Sequence, residues 1–161
     1  MTIPWAHAAF ERLTASSRTL AIAEICTGGL VSADITSFSG SERVFRGAVV
    51  VGADNTKMNA LKVSKELLEK KGPVCPEVAI AMAVGARKQF DADVGVAVTA
   101  LSLPGSGGPS LPVGTVWFAF VDDSRQETLS EHVEGELADI RSSATCSLFR
   151  YLALFLDNNP A

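Results

Sequence analysis

The chain has 161 residues, 47% hydrophobic and 20% charged, with a net charge of −4, which suffices for one sizeable core and is too little for two ordinary domains. Scattered lysines and arginines argue against a nucleic-acid surface, and no apolar run approaches a membrane span or forms a leader with a cleavage site, so the expectation is a cytoplasmic protein with a small-molecule partner and no membrane contact. Cys26, Cys75 and Cys146 are odd in number and far apart, and with only His7 and His132 beside them they support neither a disulfide framework nor a metal centre.

Trp5, Ala8, Ala9 and Leu13 recur at helical spacing, so Pro4 to about Ser16 reads as an amphipathic helix with the proline in its first turn. The apolar run from Thr19 to Ala23, ending at Glu24, has the length and composition of a fully buried strand. Gly28 and Gly29 follow and open a helix to about Thr36. Glycines there permit a sharp turn and leave amides at a helix start uncovered by any Cβ, so this is either a tight connection or a place for an anion or polarised carbonyl.

After the breaker-rich Phe38–Glu42 turn, Val44–Val51 reads as a second strand with a bulge at Gly47, and its apolar end suggests a central position. Lys57 lies shortly after that strand, in a short helical turn. A lysine there is either solvated or, beside a pocket, partly buried and usable as a base. Ser64 is a suitable N-cap for a surface helix over Lys65–Lys71 that Gly72 stops. Cys75-Pro76 opens a longer helix to Phe90, thinned by Ala79, Ala81, Ala83 and Gly85 and so suited to close packing on a sheet or on a partner chain. Cys75 at its start is a capping side chain or a favoured thiolate.

Val94–Thr99 is a third buried strand. The Gly- and Pro-rich stretch from Leu101 to Pro112 is too long to be a mere connector. Val113–Val121 and about Glu127–Val133 then form a hairpin, and Leu137, Ile140, Ala144, Leu148, Tyr151 and Phe155 mark a long closing helix. Alternating strands and helices followed by a hairpin and a helix predict a three-layer α/β/α sandwich with a mixed sheet. The segments after Glu24, Val51 and Thr99 should meet at one end of that sheet, where open α/β folds bind ligands.

Glu24 with Cys26-Thr27-Gly28-Gly29-Leu30, Gly40-Ser41 with Val44-Phe45-Arg46-Gly47, Ala97-Val98-Thr99, and Pro112-Val113-Gly114-Thr115-Val116-Trp117 follow one another over most of the chain. Together they resemble the C-terminal domain of the CinA (competence/damage-inducible) proteins, also found alone as nicotinamide mononucleotide deamidases. The resemblance implies amide hydrolysis of a pyridine nucleotide by a serine nucleophile with a lysine base, the lysine falling on Lys57, with no cofactor. The serine's position is held by Ile25, which has no nucleophile, donor or acceptor, and Gly52 falls where a tyrosine is common.

Two functions follow from that resemblance. One is a nicotinamide-nucleotide amidase relative working through Lys57, Thr27 and, as substitute nucleophile at a helix start, Cys26. The other is a non-catalytic pyridine-nucleotide-binding protein or pseudoenzyme subunit. It would hold phosphate through Gly28, Gly29, Gly105, Gly107 and Gly108, with Arg141 matching a family arginine. The thin helix over Val78–Arg87 adds the expectation of a homo-oligomer.

Overall fold

The computed structural model describes residues 4–103 and 111–157. Helix α1 spans Pro4–Ala15, β1 Leu20–Glu24, α2 Leu30–Thr36, β2 Phe45–Val50, α3 Asp54–Leu61, α4 Lys65–Lys71 and α5 Pro76–Gln89. Strands β3 (Val94–Ala100), β4 (Thr115–Val121) and β5 (Gln126–His132) follow, and α6 (Leu137–Asp157) closes the chain. The five strands form one mixed sheet in the order β2-β1-β3-β4-β5. β1 runs parallel to both β2 and β3, while β4 and β5 are antiparallel additions. No helix among the described residues is long and apolar enough to cross a membrane.

The two faces of the sheet are built from different side chains. Period-two alternation sends Leu20, Ile22, Val96, Phe118 and Phe120 to a large-residue core shared with α1, α2 and α6. Ala21, Ala23, Ala97 and Ala119 go to the other face, under α5 and beside α3. Small residues there let α5 lie close. A methyl added at Gly95 of β3 would come within 2.2 Å of the Ala83 carbonyl oxygen, and one at Gly85 of α5 within 2.1 Å of the Leu61 carbonyl oxygen at the end of α3. The thin face of α5 is therefore used inside this chain, against the sheet and α3.

β1 and β3 are buried at every position, as their uninterrupted apolar runs imply. β2 corrects the expectation of a central strand. It pairs only with β1 and forms the edge of the sheet, with Val50 52% exposed. An apolar run shows that a strand packs against something, but its neighbour on the far side is a long-range choice, and β3 takes the place beside β1. The bulge does fall where expected: Leu20 pairs with Phe45 and Ala21 with Gly47, leaving Arg46 extra. The Phe90 ring lies against Gly47, about where a side chain would be. Ser64 caps α4 by accepting from the Leu67 amide at 3.0 Å, and Pro76 starts α5.

Candidate functional site

Because β1, β2 and β3 are parallel, their carboxyl ends open on the same edge of the sheet, and the segments that follow them enclose a cleft of about 390 Å³. Ile25 comes from the end of β1, Gly52–Asp54 from the connection after β2, and Thr99, Ala100, Ser102 and Leu103 from the end of β3. Lys57 of α3 and Pro73-Val74 ahead of α5 complete it. The expected meeting of these segments is thus realised. A larger groove of about 540 Å³ runs between the outer sides of α3 and α5, lined by Lys62, Gly85 and Lys88 among others. It contains none of the candidate catalytic or binding residues named from the sequence, and its polar side chains are Asn59, Lys62, Lys88 and Gln89, with no carboxylate among them.

Lys57 is buried, at 3% exposure. Its ammonium donates to Asp54 Oδ1 at 2.7 Å, one turn back on the same helix, and Asp54 itself is half in solvent. Thr99 is fully buried and its hydroxyl donates to the Pro73 carbonyl oxygen at 3.1 Å, tying the end of β3 to the start of α5. Asp54, Thr99 and Ser102 were not singled out from the sequence. The three-residue spacing of Asp54 and Lys57 is the local signal that identifies the first of them once a helix is seen to begin at residue 54. Nothing local marks the other two.

The β1–α2 turn is organised differently from the expectation of uncovered amides. Gly28 and Gly29 have φ of 61° and 100°, the left-handed region that favours glycine. The helix start they open is already occupied. The fully buried carboxylate of Glu24 accepts at Oε2 from the Thr27 hydroxyl at 2.7 Å and from the amides of Gly29 and Val31 at 3.0 and 3.1 Å. Its Oε1 accepts from the amide and the hydroxyl of Ser32 at 2.9 and 2.5 Å. The Gly28 amide donates to the Ile25 carbonyl and the Leu30 amide to the Thr27 carbonyl. Every amide from Gly28 to Ser32 is therefore used inside the chain, and an external phosphate or oxyanion at this helix start would first have to displace Glu24.

Alternation at the end of β1 also separates Ile25 from Cys26. Ile25 lies on the α3 side in the cleft, whereas Cys26 is packed into the opposite core with α2 and α6. Burial pushes its thiol up to about 12, and neither backbone hydrogen bonds nor nearby Arg141 offset that. A favoured thiolate at residue 26 is thus corrected to an inert, buried thiol. Thr27 is likewise buried and gives its hydroxyl to Glu24. Arg141, in the first turns of α6, donates from Nε to the Cys26 carbonyl at 2.8 Å and lies over Gly28 on the same side. It does not line the cleft. Gly105, Gly107 and Gly108 lie outside the described residues.

This thiol environment has a chemical consequence. In the folded protein at pH 8, a maleimide is expected to label Cys146 alone, because Cys26 and Cys75 are both buried and both pushed upward chiefly by that burial. Mass spectrometric mapping before and after unfolding checks it, and fast labelling of Cys26 in the native state contradicts it.

A mixed sheet of five strands, helices on both faces and a cleft at the carboxyl ends of its parallel strands define a three-layer α/β domain. The chain belongs to the CinA C-terminal domain family, whose model matches residues 3–156. It is 47% identical over 114 residues to a CinA-like protein of Synechococcus sp., covering 71% of this chain and 27% of that protein. With a CinA-like protein of Mycobacterium tuberculosis it shares 38% identity over 146 residues, covering 90% and 34%. The chain thus spans about a third or less of the length of these curated relatives. Among solved structures, a CinA superfamily protein of Klebsiella pneumoniae superposes with a TM-score of 0.94 at 26% identity, covering 99% of both chains. One of Escherichia coli gives 0.88 at 31% identity, covering 96% of this chain and 88% of that one.

Proposed function

We propose that this domain binds a pyridine nucleotide in the Lys57 cleft and does not perform the serine-dependent amide hydrolysis implied by its resemblance to nicotinamide mononucleotide deamidases. The observation that carries this reading is the placement of Ile25. It lines the same cleft as Lys57, where the resemblance expects a nucleophile and its base, and it offers no atom that attacks a carbonyl. The neighbouring thiol and hydroxyl do not substitute for it, since Cys26 faces the other core and Thr27 is bound to Glu24.

Ammonia release from nicotinamide mononucleotide tests the reading. Wild type is expected to release none above background while binding the nucleotide in calorimetry, and Ile25→Ser is expected to release measurable ammonia through a restored serine beside Lys57. One observation favours a second reading, retained hydrolysis with a relocated nucleophile. Ser102 lines the cleft, and its hydroxyl has no hydrogen-bond partner among the described residues. Wild-type turnover abolished by Ser102→Ala would establish that reading in place of the first.

A further inference from the structure

The hydrogen-bonding groups of the cleft are unevenly satisfied. An ammonium carries three donors and no acceptor, and Lys57, with its side chain 4% exposed, donates to Asp54. Its remaining donors have no other partner among the described residues. Unmet donors on a buried charge are the costliest kind to leave in a site. Ser102, half-buried at the rim, adds a second donor without a partner among the described residues. The acceptors nearby are less pressing, since Asp54 is 52% exposed and reaches water and Thr99 is engaged with Pro73. Ile25, Pro73, Val74 and Leu103 supply apolar wall around these groups.

A carboxylate meets such a set better than a carboxamide does. It is acceptor-only, with two oxygens, whereas the NH₂ of an amide turns a donor toward donors. We propose that the cleft selects an aromatic acid, its carboxylate against Lys57 and Ser102 and its ring against Ile25 and the neighbouring apolar wall. Resting on the pyridine-nucleotide reading above, the ligand is then the acid form of the nucleotide and not its amide. The isoleucine fits this role twice over, by removing the group that would attack an amide and by extending the apolar surface that a flat ring covers.

Titration calorimetry of the wild-type protein with nicotinate mononucleotide and, separately, nicotinamide mononucleotide tests the proposal. The acid is expected to bind roughly tenfold or more tightly than the amide, the discrimination that one charge-assisted hydrogen bond provides. Lys57→Met should remove this preference by weakening the acid at least roughly tenfold more than the amide, and Ser102→Ala should reduce it in part. A thermal melt of each variant establishes that it is folded, and the wild-type comparison stands without either. Equal binding of the two nucleotides, or tighter binding of the amide, overturns this proposal and leaves the pyridine-nucleotide reading intact. Binding of neither overturns both.

Discussion

Replacing Glu24 with alanine is expected to destabilise the domain by roughly 3–5 kcal/mol, read as a fall in the urea midpoint with an unchanged slope. That is a large part of the roughly 5–15 kcal/mol that holds an ordinary domain folded. The carboxylate has no solvent exposure and accepts five hydrogen bonds, three at one oxygen and two at the other. Its removal strands three amides and two hydroxyls in a place that water enters only if the start of α2 opens. Glutamine is no remedy, because both oxygens accept and an NH₂ in either position faces donors. Glu24→Gln should therefore also destabilise, by less than alanine because one oxygen remains. A midpoint close to that of wild type in Glu24→Ala would show that the stranded donors find other acceptors.

The second large effect is expected at Gly85. A methyl there would lie 2.1 Å from the Leu61 carbonyl oxygen and 2.8 Å from its carbon, and these are backbone atoms at the end of α3 that no rotamer change can move aside. Gly85→Ala should cost about 2 kcal/mol, within the range for overpacking and despite the better helix propensity of alanine. The displacement has a direction: it pushes α3 away from α5, and α3 carries Lys57 and Asp54 into the cleft. Binding of nicotinate mononucleotide should weaken along with stability, by roughly threefold or more, a loss on the order of 0.7 kcal/mol. Gly52→Ala is the control. An added methyl there meets nothing within 4 Å and the backbone is not left-handed, so the midpoint should change by less than about 0.5 kcal/mol. Calorimetry and urea titration on the two variants separate these cases.

Local chemistry made much of the fold legible. The apolar run before Glu24 and the glycine pair after it define β1 and its turn, while Ser64 and Pro76 mark helix starts through capping and ring geometry. The gathering of segments after β1, β2 and β3 follows from parallel strand order. What escaped depends on partners distant in sequence or on an end-on view of the sheet. The edge position of β2 is a choice among neighbours made by β3, some fifty residues later in the chain. The occupation of the α2 amides by Glu24 is a matter of where a strand's last side chain points, and composition treats that residue only as a boundary. Strand alternation carries one more point. Counting by twos from Leu20 puts Glu24 and Cys26 on one face and Ile25 on the other, which already separates the thiol from Lys57.

The placement of β1 also constrains the order in which the domain can be made. Of the five strands of this sheet it is made first, yet it lies between β2 and β3, and its pairing with β3 waits for Val94–Val98. α1 packs against α6 and is tied to it by Arg12, which donates from Nε and Nη2 to the two oxygens of Asp157 at 2.6 and 2.9 Å. A ribosome-bound chain halted before Leu137 therefore lacks the α6 side chains that pack on this core, among them Tyr151 against Phe118 and Phe155 against Phe120, and Leu13, Phe118 and Phe120 are all fully buried in the finished domain. Folding of this domain therefore closes over long loops and late in its synthesis, and until α6 emerges the nascent domain exposes apolar surface of the kind that favours aggregation.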